Sequence, residues 1–117
     1  MSLDRDLSGA SAAQVARSVA SGKVSAQEVA RALLDTIEQR NPTWNAFTEV
    51  TRERALAEAG AIDAARARGE RLGPLAGVPY AVKNLFDIVG LTTLAGSKIN
   101  RDRAPASADA TAIQRLR

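Results

Sequence analysis

Apolar positions recur along this chain in two rhythms. From Ser11 to Arg68 they return every three or four residues, the period of a helix with one buried face. After Gly73 they bunch into short blocks between glycines and prolines, the habit of buried strands and turns.

The helical part resolves into three pieces after a short polar lead over residues 1–10. Ser11 and Gln14 have capping-box spacing, Val15 and Val19 lie on one face, and Gly22 suits the position just past a helix end. Ser25 and Glu28 repeat the capping box. Val29, Leu33 and Ile37, widened by Ala30 and Leu34, form the stripe of a second helix. Asn41-Pro42 is expected to end it, because a residue before proline avoids the helical region. The pair reads as a helical hairpin through Gly22 and Lys23. Trp44 to Val50 is a short strand or the lead-in to a third helix over 51–68, with Leu56, Ala59 and Ile62 inward and Gly69 and Gly73-Pro74 as stops.

The second rhythm predicts different structure. "PYAVK", Pro79 to Lys83, reads as a buried strand. "VGLTTLAGSKIN" reads as turns with a further short strand. A last helix is expected from Asp109 as cap, with Ala112, Ile113 and Leu116 inward. Helices followed by a strand and another helix suggest an α/β fold, with a helical region over 1–72 and the start of an α/β core over 73–117. A lone strand has unpaired edges. The chain therefore reads as the N-terminal piece of a longer protein.

Composition narrows the chemistry more than the fold. The chain has 117 residues, no Cys and no His. That rules out disulfides, thiolate chemistry, the usual zinc sites and any Ser-His or Cys-His triad within it. No cofactor is expected. The net charge is +3, but acids are interspersed with the arginines and no basic run alternates with aromatics. A solvated Arg-rich surface is a better reading than a nucleic-acid interface. No apolar run reaches membrane-spanning length and no signal-peptide core is present, so a cytoplasmic protein is the default expectation.

Lys83 stands out, because it sits inside the most apolar stretch of the sequence. Burial disfavours an ammonium group and favours the neutral amine, which can act as a general base. With histidine absent, a Ser-Lys arrangement is the remaining way to activate a hydroxyl. The alternative is a lysine whose stem packs while its head reaches water, the commoner use of the residue. Ser97 and Ser107 are conceivable partners, but each lies in a polar loop where a hydroxyl usually makes a turn bond.

"GPLAGVPYAVKNLFDIVGLTTLAGSKIN", followed by "DAT", resembles the opening motif of the amidase signature family. The upstream "GKVSAQEVARALLDTIEQRNPTWNAFTEV" is similar to that family's leading helices. The specific part is Gly73 to Lys83. The resemblance implies an α/β fold with a mixed central sheet and a Ser–cis-Ser–Lys triad that hydrolyses amides and releases ammonia. Lys83 matches the family's catalytic lysine. Both serines of the triad lie downstream in the family, so Ser97 and Ser107 receive no catalytic role. Asn84 stands where many members carry Asp. With "VKNLFD" and "LAGSKIN" it is similar to the branch acting on 1-carboxybiuret, a small urea-like amide. The glutamine-hydrolysing component of glutamyl-tRNA amidotransferase is the rival within the family. The resemblance further implies an oligomer and a small helical partner protein, with neither nucleic acid nor membrane as partner. A non-catalytic helical interaction module is the competing reading from another class.

Overall fold

The computed structural model describes residues 9–117, so most of the expected polar lead lies outside the described residues. The chain divides into two compact units, Met1–Pro79 and Tyr80–Arg117.

The first unit is built on helices α1 (Ala12–Ala20), α2 (Ala26–Trp44) and α3 (Arg52–Ala67). Both expected capping boxes form. Gln14 N–H donates to Ser11 Oγ at 3.3 Å while Ser11 N–H donates to Gln14 Oε1 at 2.7 Å. Ser25 and Glu28 do the same at 3.0 and 2.8 Å. The bond from the Ser25 backbone N–H, then the Ser25 side chain, holds the Glu28 carboxyl below its ordinary value. α1 ends at Gly22, with φ +74°, in paired backbone bonds: Gly22 N–H to Val19 O at 3.0 Å and Lys23 N–H to Ser18 O at 2.9 Å. These satisfy the last carbonyls of α1 and turn the chain into the hairpin. α3 ends the same way, with Gly69 N–H on Arg66 O and Glu70 N–H on Ala65 O.

α2 runs through Pro42 to Trp44, past the expected stop at Asn41-Pro42. A proline removes one helical donor and crowds the carbonyl four residues back. Here it sits in the final turn, where other bonds set the end. Asn45, in the left-handed region, donates its N–H to Asn41 O at 2.7 Å. The Asn41 amide then grips Phe47 twice, accepting from its N–H at 2.9 Å and donating to its carbonyl at 3.2 Å. The segment before α3 is thus a pinned lead-in and not a strand.

The core of this unit is small-residue packing. Val15, Val19, Ala26, Val29, Ala30 and Ala59 are buried together, with Leu33, Leu56, Ile62 and Val78 packed at their edge. The apolar stripes read from the sequence are therefore the inward faces. Asp63 of α3 adds a contact that no local pattern shows: its carboxylate accepts from Ala26 N–H at 2.7 Å and Gln27 N–H at 3.1 Å. With Ser25 bonding Glu28 N–H, the first three donors of α2 are all satisfied. Gly77 closes the unit against α1 and α2. A Cβ built there would lie 2.8 Å from one Val19 methyl and 2.9 Å from the other, at φ +80°.

The second unit contains a 3-10 turn, Lys98–Asn100, and helix α4, Thr111–Leu116. No strand forms among the described residues, so the expected "PYAVK" strand and the mixed central sheet are not formed here. Strand geometry is stable only when a neighbour takes up its backbone bonds. The nearest approach to a ladder is one reciprocal step, Gly90 N–H to Ala106 O and Ala106 N–H to Leu91 O, both 2.9 Å.

α4 also departs from expectation. Its cap is Ala110, which makes no side-chain capping bond. Asp109 is buried, and its carboxylate instead accepts from Val89 N–H at 2.9 Å. Ala110 N–H donates to Asp87 O at 2.9 Å and Gln114 Nε2 to Asp109 O at 2.7 Å. Of the expected inner face only Ile113 is buried; Ala112 and Leu116 are exposed. The helix is too short to bury a full stripe.

Candidate functional site

The segment around Lys83 is shaped by hydrogen bonds from irregular backbone. Lys83 O accepts Leu85 N–H at 2.7 Å and Phe86 N–H at 3.1 Å, which turns the chain straight after the lysine. The next residue makes the longer-range connection. Asn84 Oδ1 accepts Leu94 N–H at 3.0 Å, and Asn84 O accepts Ala95 N–H at 2.8 Å. Leu94 O in turn accepts from Asn100 Nδ2 at 2.8 Å and from Ser97 N–H at 3.0 Å. The two amide side chains thus hold both polar groups of the Leu94 backbone. The 3-10 turn that begins after Ser97 brings Asn100 back over Leu94.

Lys83 itself is exposed. The burial expected from its apolar neighbours does not occur, because those neighbours are themselves open: Tyr80, Leu85 and Phe86 are 43%, 55% and 43% exposed. In the described residues this is a solvent-facing lysine on a braced loop. No hydrogen bond among the described residues joins its ammonium to Ser97 or Ser107. Ser97 caps the 3-10 turn by its backbone, and Ser107 lies exposed in the loop before α4. Neither is brought into a nucleophile–base pair.

Residues missed by sequence reasoning are those with long-range partners. Asn100 gave no local signal at all, and Asn84 only its position beside the lysine. Among the described residues no group of three acidic, His or Cys side chains could hold a metal ion. No described helix is long and apolar enough to cross a membrane.

Comparison with known proteins gives this geometry a setting. The amidase family profile matches residues 28–117. The chain is 60% identical over 104 residues to AtzE, the 1-carboxybiuret hydrolase component of Pseudomonas sp. (strain ADP), covering 89% of this chain and 23% of that protein. It is 46% identical over 112 residues to GatA-type glutamyl-tRNA(Gln) amidotransferase of Streptomyces coelicolor, covering 96% of this chain and 22% of that one. A solved structure of an s-triazine catabolic enzyme, described as part of a vestigial protein complex, superposes with a TM-score of 0.85 at 61% identity. That match covers 87% of this chain and 22% of the other. The chain spans less than a quarter of the length of the relatives it matches.

Proposed function

Because the chain belongs to the amidase signature family, we propose that the whole protein is a cytoplasmic amidohydrolase cleaving a C–N bond of a small urea-like amide of the 1-carboxybiuret type. The observation that carries the substrate class is the gap between two identities. The chain is 60% identical to the 1-carboxybiuret hydrolase but 46% identical to the amidotransferase, over nearly the same residues.

Lys83 supplies the base in this proposal. As a neutral amine, it takes the proton that a bridging serine passes from the nucleophilic serine. The serine oxygen attacks the amide carbonyl, the C–N bond breaks, and the nitrogen takes a proton and leaves as ammonia. Water then attacks the acyl ester and restores the serine. Both serines belong to the part of the family fold downstream of residues 73–117. In the whole enzyme, sheet neighbours for the segment before Lys83 would enclose the apolar side chains around it. That enclosure is what would keep the amine neutral. Both relatives are named as components of larger assemblies, which supports an oligomer with a small helical partner.

Replacement of the lysine tests the mechanism. Lys83→Ala in the whole enzyme is expected to cut ammonia release from biuret-like amides at least ~1,000-fold, on the order of the loss when one member of a catalytic triad is removed. Near-wild-type release would take Lys83 out of the mechanism. The second reading, an amidotransferase component, is supported by the 46% match, and the same assay separates the two. Glutamine preferred over small urea-like amides, with charged tRNA as acceptor, would select it.

A further inference from the structure

The residue after the lysine is held in a way that its sequence neighbours are not. Asn84 accepts two backbone N–H groups from the turn at Leu94 and Ala95, one on its side-chain oxygen and one on its carbonyl. Because Asn84 Oδ1 receives an N–H, the orientation of its amide is fixed by the network. Asn100 holds the other side of the same peptide region through Leu94 O. The turn so gripped is under strain: Ala95 has φ +47°, a left-handed conformation that a residue with a Cβ rarely adopts. Strained backbone persists only where its surroundings over-determine it, and such strain gathers at functional sites.

We propose that Asn84 is a positioning residue for Lys83: its side chain clamps the Leu94–Ala95 turn and so fixes the direction in which the lysine leaves the backbone. This inference rests on Lys83 being the base. Adjacent Cα atoms are about 3.8 Å apart across a trans peptide, so anchoring residue 84 anchors the lysine's own backbone. The lysine carbonyl is anchored as well, by Leu85 and Phe86 N–H. The four-carbon stem of lysine is flexible, so its base must be fixed for the amine to meet a hydroxyl. Misplacement of a catalytic group by about 1 Å can cost on the order of 100-fold in rate. An aspartate at position 84 would accept the same Leu94 N–H, whereas alanine would not.

The test compares Asn84→Ala, Asn84→Asp and Lys83→Met in the whole enzyme, each checked for an intact thermal transition and assayed for ammonia release from biuret. The clamp predicts that Asn84→Ala lowers kcat by about 10- to 100-fold with KM within about threefold, and that Asn84→Asp recovers most of the loss. A kcat close to wild type in Asn84→Ala, with Lys83→Met inactive, overturns the clamp and leaves the proposed function standing. Loss in Asn84→Asp equal to that in Asn84→Ala also overturns it, since the acceptor would not be the operative part. An active Lys83→Met removes the proposed role of the lysine and the clamp together. If Asn84→Ala does not fold, Asn100→Ala, which releases only the Leu94 carbonyl, is read in its place against the same limits.

Discussion

The two units of this chain are stabilised by different means. Met1–Pro79 uses helices whose backbone bonds close within each element, and it buries a compact set of Val and Ala side chains. Tyr80–Arg117 has little regular structure, and side chains hold its backbone instead: Asn84, Thr92, Asn100, Asp109 and Gln114 each bond a main-chain group elsewhere in the loop system. Its large apolar residues stay open, with Leu85, Val89 and Ile99 at 55%, 50% and 83% exposure. A helix completes its hydrogen bonds locally, and a strand cannot. The helical unit therefore closes with the residues at hand, while the unit that carries Lys83 leaves its apolar surface uncovered.

The sharpest way to break the helical unit is at Gly77. Alanine there would have to adopt φ +80° and place its Cβ 2.8 and 2.9 Å from the two Val19 methyls. Val19 is fully buried and β-branched, so its methyls cannot swing aside. Overpacking and left-handed strain together are expected to destabilise Gly77→Ala by about 3 kcal/mol. A urea titration reads this directly. The loss should be smaller in a Val19→Ala background, because the deleted methyls are the ones the new Cβ meets. Equal losses in the two backgrounds would show that backbone strain, and not the contact, dominates.

A smaller effect is expected at Asp63. Ala26 is 1% exposed, so removing the carboxylate leaves its N–H without access to water, and Gln27 N–H loses its partner as well. One stranded donor and one weakened one amount to about 2 kcal/mol. Asp63→Ala should lower stability by that much while leaving the capping box intact. Hydrogen exchange gives the cleaner signature, with faster exchange at Ala26 and Gln27 and little change at Glu28. Uniform acceleration along α2 would instead mean that Asp63 supports the whole α2–α3 packing.

These two residues also mark what the sequence makes legible. The starts of α1 and α2 can be read because a capping box needs only four consecutive residues, and their stripes because helical period is local. The bond from Asp63 to Ala26 crosses 37 positions, and nothing near either residue announces it. The end of α2 is misplaced at Asn41-Pro42, because the preference of a residue before proline is weaker than the bonds that Asn41 and Asn45 make around it. "PYAVK" has strand composition, yet composition does not supply a neighbouring strand. The same gap separates the two halves of the lysine's story. Its residue type and motif can be read from the chain, whereas its surroundings depend on partners that no short stretch encodes.

The smallest expected effect lies in the loop unit and tests whether its turn is strained or merely irregular. Ala95 at φ +47° carries roughly 1–2 kcal/mol of left-handed cost relative to glycine. Glycine would remove that cost but adds about 0.4–1 kcal/mol of unfolded-state freedom to be lost on folding. The strain term is the larger, so Ala95→Gly should stabilise the protein by about 0.5–1 kcal/mol, a small upward shift in Tm. The bonds from Asn84 O and Asn84 Oδ1 to this turn are backbone-directed and survive the change. A fall in Tm would mean that the Ala95 methyl makes packing contacts worth more than the strain it carries. The turn would then resemble the helical unit, held by its side-chain packing, and the contrast between the two units would narrow at the point nearest the lysine.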